Sequence, residues 1–156
     1  MRIFGLIVNV NELGYIGINN QLISHNKIDM QHFQNVTKNN VVVMGYNTYL
    51  SLNSKPLPNR FNIVFTNKLL KNTNDIVFTN KPKDIIELSK YTDIWIIGGN
   101  SIYELFKNYY NIMYITTTKN KIIGDVKFPD ISTENFKQLT IYEDNNIIIN
   151  KWTNIE

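Results

Sequence analysis

The sequence predicts an α/β domain built on a mainly parallel sheet with an antiparallel C-terminal edge, and three observations carry that prediction. Apolar runs of strand length alternate with segments of helical spacing along the 156 residues, without repeats or a linker. The run Ile94-Trp95-Ile96-Ile97-Gly98-Gly99-Asn100-Ser101-Ile102-Tyr103-Glu104-Leu105-Phe106 reads as a buried strand, a tight glycine turn and a helix. Near the end, Phe136 to Glu143 and Asn146 to Thr153 alternate in the way of a hairpin, with Asp144-Asn145 near its turn.

In chain order, Arg2 to Asn11 is an apolar first strand, and Asn11 to Lys27 a polar loop carrying Gly14 and Gly17. Asp29 to Lys38 places Met30, Phe33 and Val36 at helical spacing. Val41 to Gly45 is a second buried strand, followed by a short helix from Asn47 to Leu52. The turn Lys55-Pro56-Leu57-Pro58-Asn59-Arg60 leads into a strand from Asn62 to Thr66. Another strand covers Ile76 to Phe78, and Pro82 opens a helix running to Lys90. The Gly-Gly unit continues as a helix from Ser101 to Tyr109, then a strand from Met113 to Thr118 and a loop holding Gly124, Asp125, Phe128, Pro129 and Asp130.

Composition narrows the class. A hydrophobic fraction of 43% with 12% aromatic residues suits a globular chain long enough to bury a core. The absence of cysteine excludes disulfides, thiolate metal sites and cysteine nucleophiles together. No signal peptide and no membrane span are evident, so the expectation is a soluble, cytoplasmic protein. The net charge of +3 is scattered over the chain and forms no basic stripe with interleaved aromatics, which argues against a nucleic-acid partner.

Few residues offer chemistry. Asp29 lies where a hydrophilic loop becomes an amphipathic helix; it is either a helix N-cap or a carboxylate at the edge of an apolar pocket. Thr116, on the strand after the Gly-Gly helix, is placed to share its network. Arg60 and Arg2 are the only arginines among 16 basic residues, so Arg60 beside Leu57-Pro58 points to planar, bidentate work on a carboxylate, against an ordinary surface role. The spacing of His25 and His32 does not match a metal site, and no serine has a credible His and acid pair. Gly98-Gly99 lets backbone N–H groups approach a phosphate at a helix start, or is plain packing.

Taken together, these positions resemble dihydrofolate reductase. The segments that carry the resemblance are Leu6 to Val10 with Tyr15-Ile16-Gly17-Ile18-Asn19-Asn20, then Asp29 with Phe33 and Thr37, then Val42 to Leu52. Pro56 to Val64, Ile97 to Glu104, Thr116 and Gly124 to Asp130 follow in the family's order over essentially the whole chain. The resemblance implies a three-layer fold with helices on both faces of the sheet, a monomer, and NADPH-dependent reduction of 7,8-dihydrofolate to tetrahydrofolate. It makes Asp29 the catalytic acid, binding the pterin together with Thr116. Ile7, Val8, Met30, Phe33, Leu52, Leu57 and Ile97 would wall the substrate, and Arg60 would hold its glutamate α-carboxylate. Gly98, Gly99, Asn100, Ser101, Ile102 and Tyr103 would cradle the cofactor pyrophosphate, with Gly45, Tyr46, Asn47 and Thr48 at a second helix start. Thr66 and Asn67 would lie near the adenosine ribose, and Asn9, Ile16, Gly17 and Asn20 toward the nicotinamide. A cis Gly98-Gly99 peptide is also expected.

Three departures from the family pattern stand out. Leu22-Ile23-Ser24-His25-Asn26-Lys27 lacks the usual Pro-Trp pair of the active-site loop, Tyr46 replaces the basic residue that follows Gly45, and Asn100 follows the two glycines. Lys68 is a candidate source of replacement charge toward a 2′-phosphate. The alternatives are a reductase of the same fold acting on another pterin or pyrimidine, and a non-catalytic folate- or nucleotide-binding homologue.

Overall fold

In the computed structural model, which describes residues 2–156, eleven strands form two sheets. The large sheet contains β1 (Phe4–Asn11), β4 (Val41–Gly45), β5 (Phe61–Phe65), β6 (Ile76–Thr79), β7 (Ile94–Gly98), β8 (Ile112–Thr118), β10 (Phe136–Glu143) and β11 (Ile147–Asn154). Their spatial order is β10-β11-β8-β1-β7-β4-β5-β6. The six strands from β8 to β6 are parallel, whereas β11 pairs antiparallel with both β8 and β10. The predicted class is therefore what the chain adopts.

The four helices are α1 (Lys27–Thr37), α2 (Tyr46–Ser51), α3 (Pro82–Leu88) and α4 (Asn100–Leu105). Strand alternation assigns them to two faces. Leu6, Val8, Val41, Val43 and Ile96 pack in one core with Ile85, Ile102, Tyr103 and Phe106 of the α3 and α4 segments. Ile7, Val42, Met44, Val64 and Trp95 face the other way, toward Phe33 and Val36 of α1 and Tyr46 and Tyr49 of α2. Removing such apolar side chains from water on both faces contributes about 1.5–3 kcal/mol each, which is why the central strands carry almost no polar residues before their carboxyl ends.

Two element boundaries differ instructively from the sequence reading. The polar loop from Asn11 to Lys27 contains a hairpin, β2 (Tyr15–Ile18) and β3 (Gln21–Leu22), joined by Asn19 and Asn20 at φ 52 and 61. Asparagine tolerates this left-handed backbone, so the Asn-Asn pair acts as a two-residue hairpin turn. β9 (Val126–Lys127) pairs with β2 to complete a small second sheet. The predicted helix to Tyr109 stops at Leu105, because Phe106 turns its ring into the core against Phe4 at 5.6 Å and Phe65 at 6.3 Å. The buried Tyr110 hydroxyl then donates to the Tyr103 carbonyl at 2.8 Å, closing the segment as a turn.

Candidate active site

Open parallel sheets bind ligands beyond the carboxyl ends of their strands, where neighbouring strands send their chains in opposite directions. Here α1 lies between β1 and β4 in the chain and α4 between β7 and β8, and these helices cover opposite faces of the adjacent strands β1 and β7. Asn9, Thr116, Gly45 and Gly98 all sit at or near the carboxyl ends of their strands.

Asp29 is not the helix N-cap. That role belongs to Asn26, whose side-chain oxygen accepts the Asp29 backbone N–H at 3.0 Å, so the Asp29 carboxylate is free for other partners. Thr116 donates to its Oδ1 at 2.6 Å, and Asn9 donates Nδ2–H to its Oδ2 at 2.8 Å. Thr116 is buried, and its partner across the β1–β8 register is Asn9, so the two donors arrive side by side. An ionised carboxylate offers about four acceptor positions. Thr116 and Asn9 occupy one on each oxygen, leaving one on each for an incoming pair of N–H groups.

On the α1 side of the sheet the structure gathers Ile7, Phe33, Leu52, Leu57 and Ile97 in one apolar cluster. Two expected wall residues behave otherwise. The Val8 side chain packs into the opposite core, as strand alternation after Ile7 requires, and Met30 is 54% exposed on α1. His32, one turn along from Asp29, packs edge-on against Tyr114 at 5.0 Å. Burial pulls its pKa below the ordinary value, while the Asp29 carboxylate opposes that shift.

Arg60 is held rather than loose. Its Nε donates to the Thr37 hydroxyl at 3.0 Å and its Nη1 to the Pro58 carbonyl at 3.1 Å, while the guanidinium carbon lies 5.7 Å from the centre of the Phe33 ring. Thr37, fully buried, donates in turn to the Phe33 carbonyl at 2.7 Å. The remaining guanidinium N–H groups form a fork suited to a carboxylate.

A residue that sequence reasoning missed supports this turn. Asn62, buried at the second position of β5, accepts the Leu57 N–H at 2.9 Å and donates to the Leu57 and Arg60 carbonyls at 3.0 and 3.1 Å. An asparagine inside a run that otherwise reads Phe-x-Ile-Val-Phe was the available signal. Asn11 is a second such residue. Buried at the end of β1, it takes the backbone N–H groups of Leu13 and Tyr15 and donates to the Ile122 carbonyl and Asn120.

The glycine turns meet as expected. The Gly98-Gly99 peptide is cis, and Gly98 has φ 124, a region that favours glycine. A Cβ at Gly45 would lie 3.0 Å from Ile102 Cγ1 and 3.7 Å from the Gly99 nitrogen, and one at Gly99 would find Thr48 Oγ1 at 3.8 Å. Neither Gly45 nor Gly99 gives its helix a side-chain cap. The first turns of α2 and α4 thus meet closely at Gly45, where Ile102 leaves little room for a side chain, with Asn47, Thr48, Asn100 and Ser101 following on the two helices. Ile102 and Tyr103 are buried, and the Tyr103 hydroxyl donates to the Ile7 carbonyl at 2.8 Å. Beyond the α2 start, Lys68 Nζ lies 5.3 Å from the centre of the Tyr46 ring. The Lys68 N–H donates to Thr66 Oγ1 at 3.1 Å, and Asn67 accepts from Asn80. Gly17 and Asn20 belong to the β2–β3 hairpin, and Ile16 is buried in the α4-side core. Among the described residues, no group of three or more His, Asp or Glu side chains is placed to hold a metal ion.

The α/β fold thus sets one carboxylate at the carboxyl ends of the strands, near two glycine turns that open helices. The dihydrofolate reductase family model matches residues 3–150, and the chain belongs to that family. Over 143 residues it is 32% identical to the dihydrofolate reductase of Ureaplasma parvum serovar 3, covering 90% of each chain. The Staphylococcus aureus enzyme is 33% identical over 122 residues, covering 78% of this chain and 75% of the relative. Among solved structures, dihydrofolate reductase from Enterococcus faecalis complexed with NADP(H) and RAB-propyl superposes with a TM-score of 0.86 at 21% identity, covering 97% of this chain and 96% of that one.

Proposed function

We propose that the protein reduces 7,8-dihydrofolate to 5,6,7,8-tetrahydrofolate with NADPH, in support of one-carbon and thymidylate metabolism. The observation that carries this reading is Asp29, held by Asn9 and Thr116 with one acceptor position left on each oxygen, in a chain of the dihydrofolate reductase family.

NADPH, when bound, supplies the hydride that reaches C6 of the pterin. The residues present fit that cofactor: Gly45 and Gly99 bring the starts of α2 and α4 close together, where backbone N–H groups left unpaired by the helices would hold a diphosphate. Lys68 over Tyr46 brings a cation to the side where the family pattern has its basic residue, suiting a 2′-phosphate. Thr66 and Asn67 would flank the ribose, while Asn9, Ile16, Gly17 and Asn20 would border the nicotinamide end.

Asp29 accepts the pterin amino group and ring N–H on its two remaining positions, and its negative charge favours protonation at N5. Ile7, Phe33, Leu52, Leu57 and Ile97 exclude water from the reacting rings. Arg60, pre-oriented by Thr37 and Pro58, clamps the glutamate carboxylate and so fixes the far end of the substrate. We further infer one domain acting as a cytoplasmic monomer. No helix among the described residues is long and apolar enough to cross a membrane.

The test is loss of reduced-nicotinamide absorbance in a mixture of purified protein, dihydrofolate and NADPH, repeated with NADH. Oxidation that requires both protein and dihydrofolate, and is faster with NADPH, is expected. Binding of folate without turnover would instead identify a non-catalytic homologue.

A further inference from the structure

The segment before α1 is tied to the catalytic carboxylate by an unbroken line of side chains. Ser24 Oγ lies 2.9 Å from Thr118 Oγ1, Thr118 donates to Asn9 Oδ1 at 2.7 Å, and Asn9 donates to Asp29 Oδ2 at 2.8 Å. Hydrogen counting gives the line a direction. A carboxylate only accepts, so Asn9 must turn its amide nitrogen toward Asp29 and its oxygen toward Thr118. An amide oxygen only accepts, so the single Thr118 hydroxyl proton goes to Asn9. Ser24 is then the donor to Thr118, and every bond points at Asp29.

We propose that Ser24, Thr118 and Asn9 form a one-way donor relay that positions the Asp29 carboxylate, with Asn9 a positioning residue for the catalytic acid. The inference rests on the dihydrofolate reductase reading of the site. Its physical content is the amide of Asn9, which has two orientations. A flipped amide would set its oxygen against the carboxylate, breaking that bond and leaving two acceptors face to face, and would turn its N–H₂ group on Thr118, reversing the bonds behind it. Thr118 enforces the donor orientation, and Ser24 enforces the orientation of Thr118. Chains of aligned hydrogen bonds reinforce one another, so a change at Ser24 reaches Asp29 without contact between them. The relay also has a rigid base: Thr118 is 9% exposed, and the β1–β8 register, which pairs Asn9 with Thr116 and Asn11 with Thr118, sets Asn9 and Thr118 diagonally across the two strands. The other end of the same segment reaches Asp29 as well, because Asn26 caps its backbone N–H at 3.0 Å. The place of Ser24 in this sequence is where the family pattern carries tryptophan, so the segment uses a hydroxyl link in this chain.

The experiment is a double-mutant cycle on Ser24→Ala and Asn9→Leu, read by kcat, by the Michaelis constants for both substrates and by dihydrofolate binding. Asn9→Leu is expected to lower kcat by about ten- to hundredfold, the range for a bond to a charged group. Thr118 lies outside the proposed cofactor site, so in Thr118→Val kcat should fall while the Michaelis constant for NADPH stays unchanged. Ser24→Ala should cost about two- to fivefold alone and nothing further in the Asn9→Leu background. Thr118→Val, which preserves volume, should likewise erase the Ser24 effect and serves if Asn9→Leu does not fold. Equal Ser24→Ala factors in all backgrounds would overturn the relay, as would Asn9 and Thr118 variants that lose stability with kcat intact. A parent protein that binds dihydrofolate without turnover refutes the catalytic reading alone, and the same cycle then reads the relay in the dissociation constant. A parent that does neither refutes both.

Discussion

Replacing Asn62 with leucine isolates the support beneath the Arg60 turn. The asparagine is fully buried and makes three bonds, accepting from the Leu57 N–H at 2.9 Å and donating to the Leu57 and Arg60 carbonyls at 3.0 and 3.1 Å. At about 1 kcal/mol net per bond, the loss is about 3 kcal/mol. Leucine shares the branched skeleton, though its methyl groups are bulkier than the amide, and gains apolar burial between Val42 and Ile76, the register partners on β4 and β6. That gain returns about 1 kcal/mol, for a net destabilisation of about 2 kcal/mol. Urea unfolding of parent and variant measures it directly, as a lower midpoint at constant slope. The turn would also release Arg60, so the Michaelis constant for dihydrofolate should rise about tenfold while kcat changes little. Asn62→Asp sharpens the case: it keeps an acceptor for the Leu57 N–H but sets a carboxylate oxygen against two carbonyls, and it should be less stable than the leucine variant. A leucine variant as stable as the parent, with an unchanged Michaelis constant, would refute the assignment.

Four further outcomes are expected. Asp29→Asn should leave NADPH binding intact and remove most turnover at neutral pH, since its amide group would meet a donor, Asn9 or Thr116, in either orientation; steady-state rates check it. Arg60→Lys should raise the Michaelis constant for dihydrofolate about tenfold with kcat held, because an ammonium cannot form the planar fork and loses the Nε–Thr37 bond. Gly45→Ala places a methyl group 3.0 Å from Ile102 Cγ1 and 3.7 Å from the Gly99 nitrogen, so NADPH binding, measured by titration, should weaken more than dihydrofolate binding. Burial lowers the His32 pKa in the folded state, so below the ordinary value of 6.5 the unfolded chain binds the extra proton. Stability should therefore be full above that value, fall as pH drops toward the lowered one and then level off; thermal melts of parent and His32→Gln should differ in this slope alone.

The strands and helices were legible because their signals are periodic. Val41 to Gly45 and Ile94 to Ile97 are unbroken apolar runs, and both are central strands buried on two faces. Arg60 stood out as one of two arginines in a chain rich in lysine, Asp29 by its place where a polar loop becomes an amphipathic helix, and the Gly-Gly turn by its place between an apolar run and a helix. What stayed hidden was polar and written in that common alphabet. Asn19-Asn20 makes a hairpin turn, Asn26 caps α1, Asn11 organises the following loop, Asn62 holds the Arg60 turn and Asn9 binds Asp29. Nothing local separates these asparagines from solvated ones, because each is defined by a partner distant in sequence or by backbone conformation. The relation between Asn9 and Thr118 spans 109 positions and exists only through the β1–β8 register.

The same register explains how an apolar sheet can carry an adjustable site. Along β1 and β8 the amino-terminal halves supply core residues such as Leu6 and Met113, while the carboxyl ends carry Asn9, Asn11, Thr116 and Thr118. Substituting these polar ends alters hydrogen bonds beyond the main core without disturbing the apolar contacts that fix strand order. Asp29 arrives at this edge on α1 from one face of the sheet, and Gly99 starts α4 on the other. The carboxylate and the Gly98-Gly99 turn therefore approach the ends of β1 and β7 from opposite faces, at the point where the two helices part, and Asn9 and Thr116 at the strand ends hold the Asp29 carboxylate by one oxygen each.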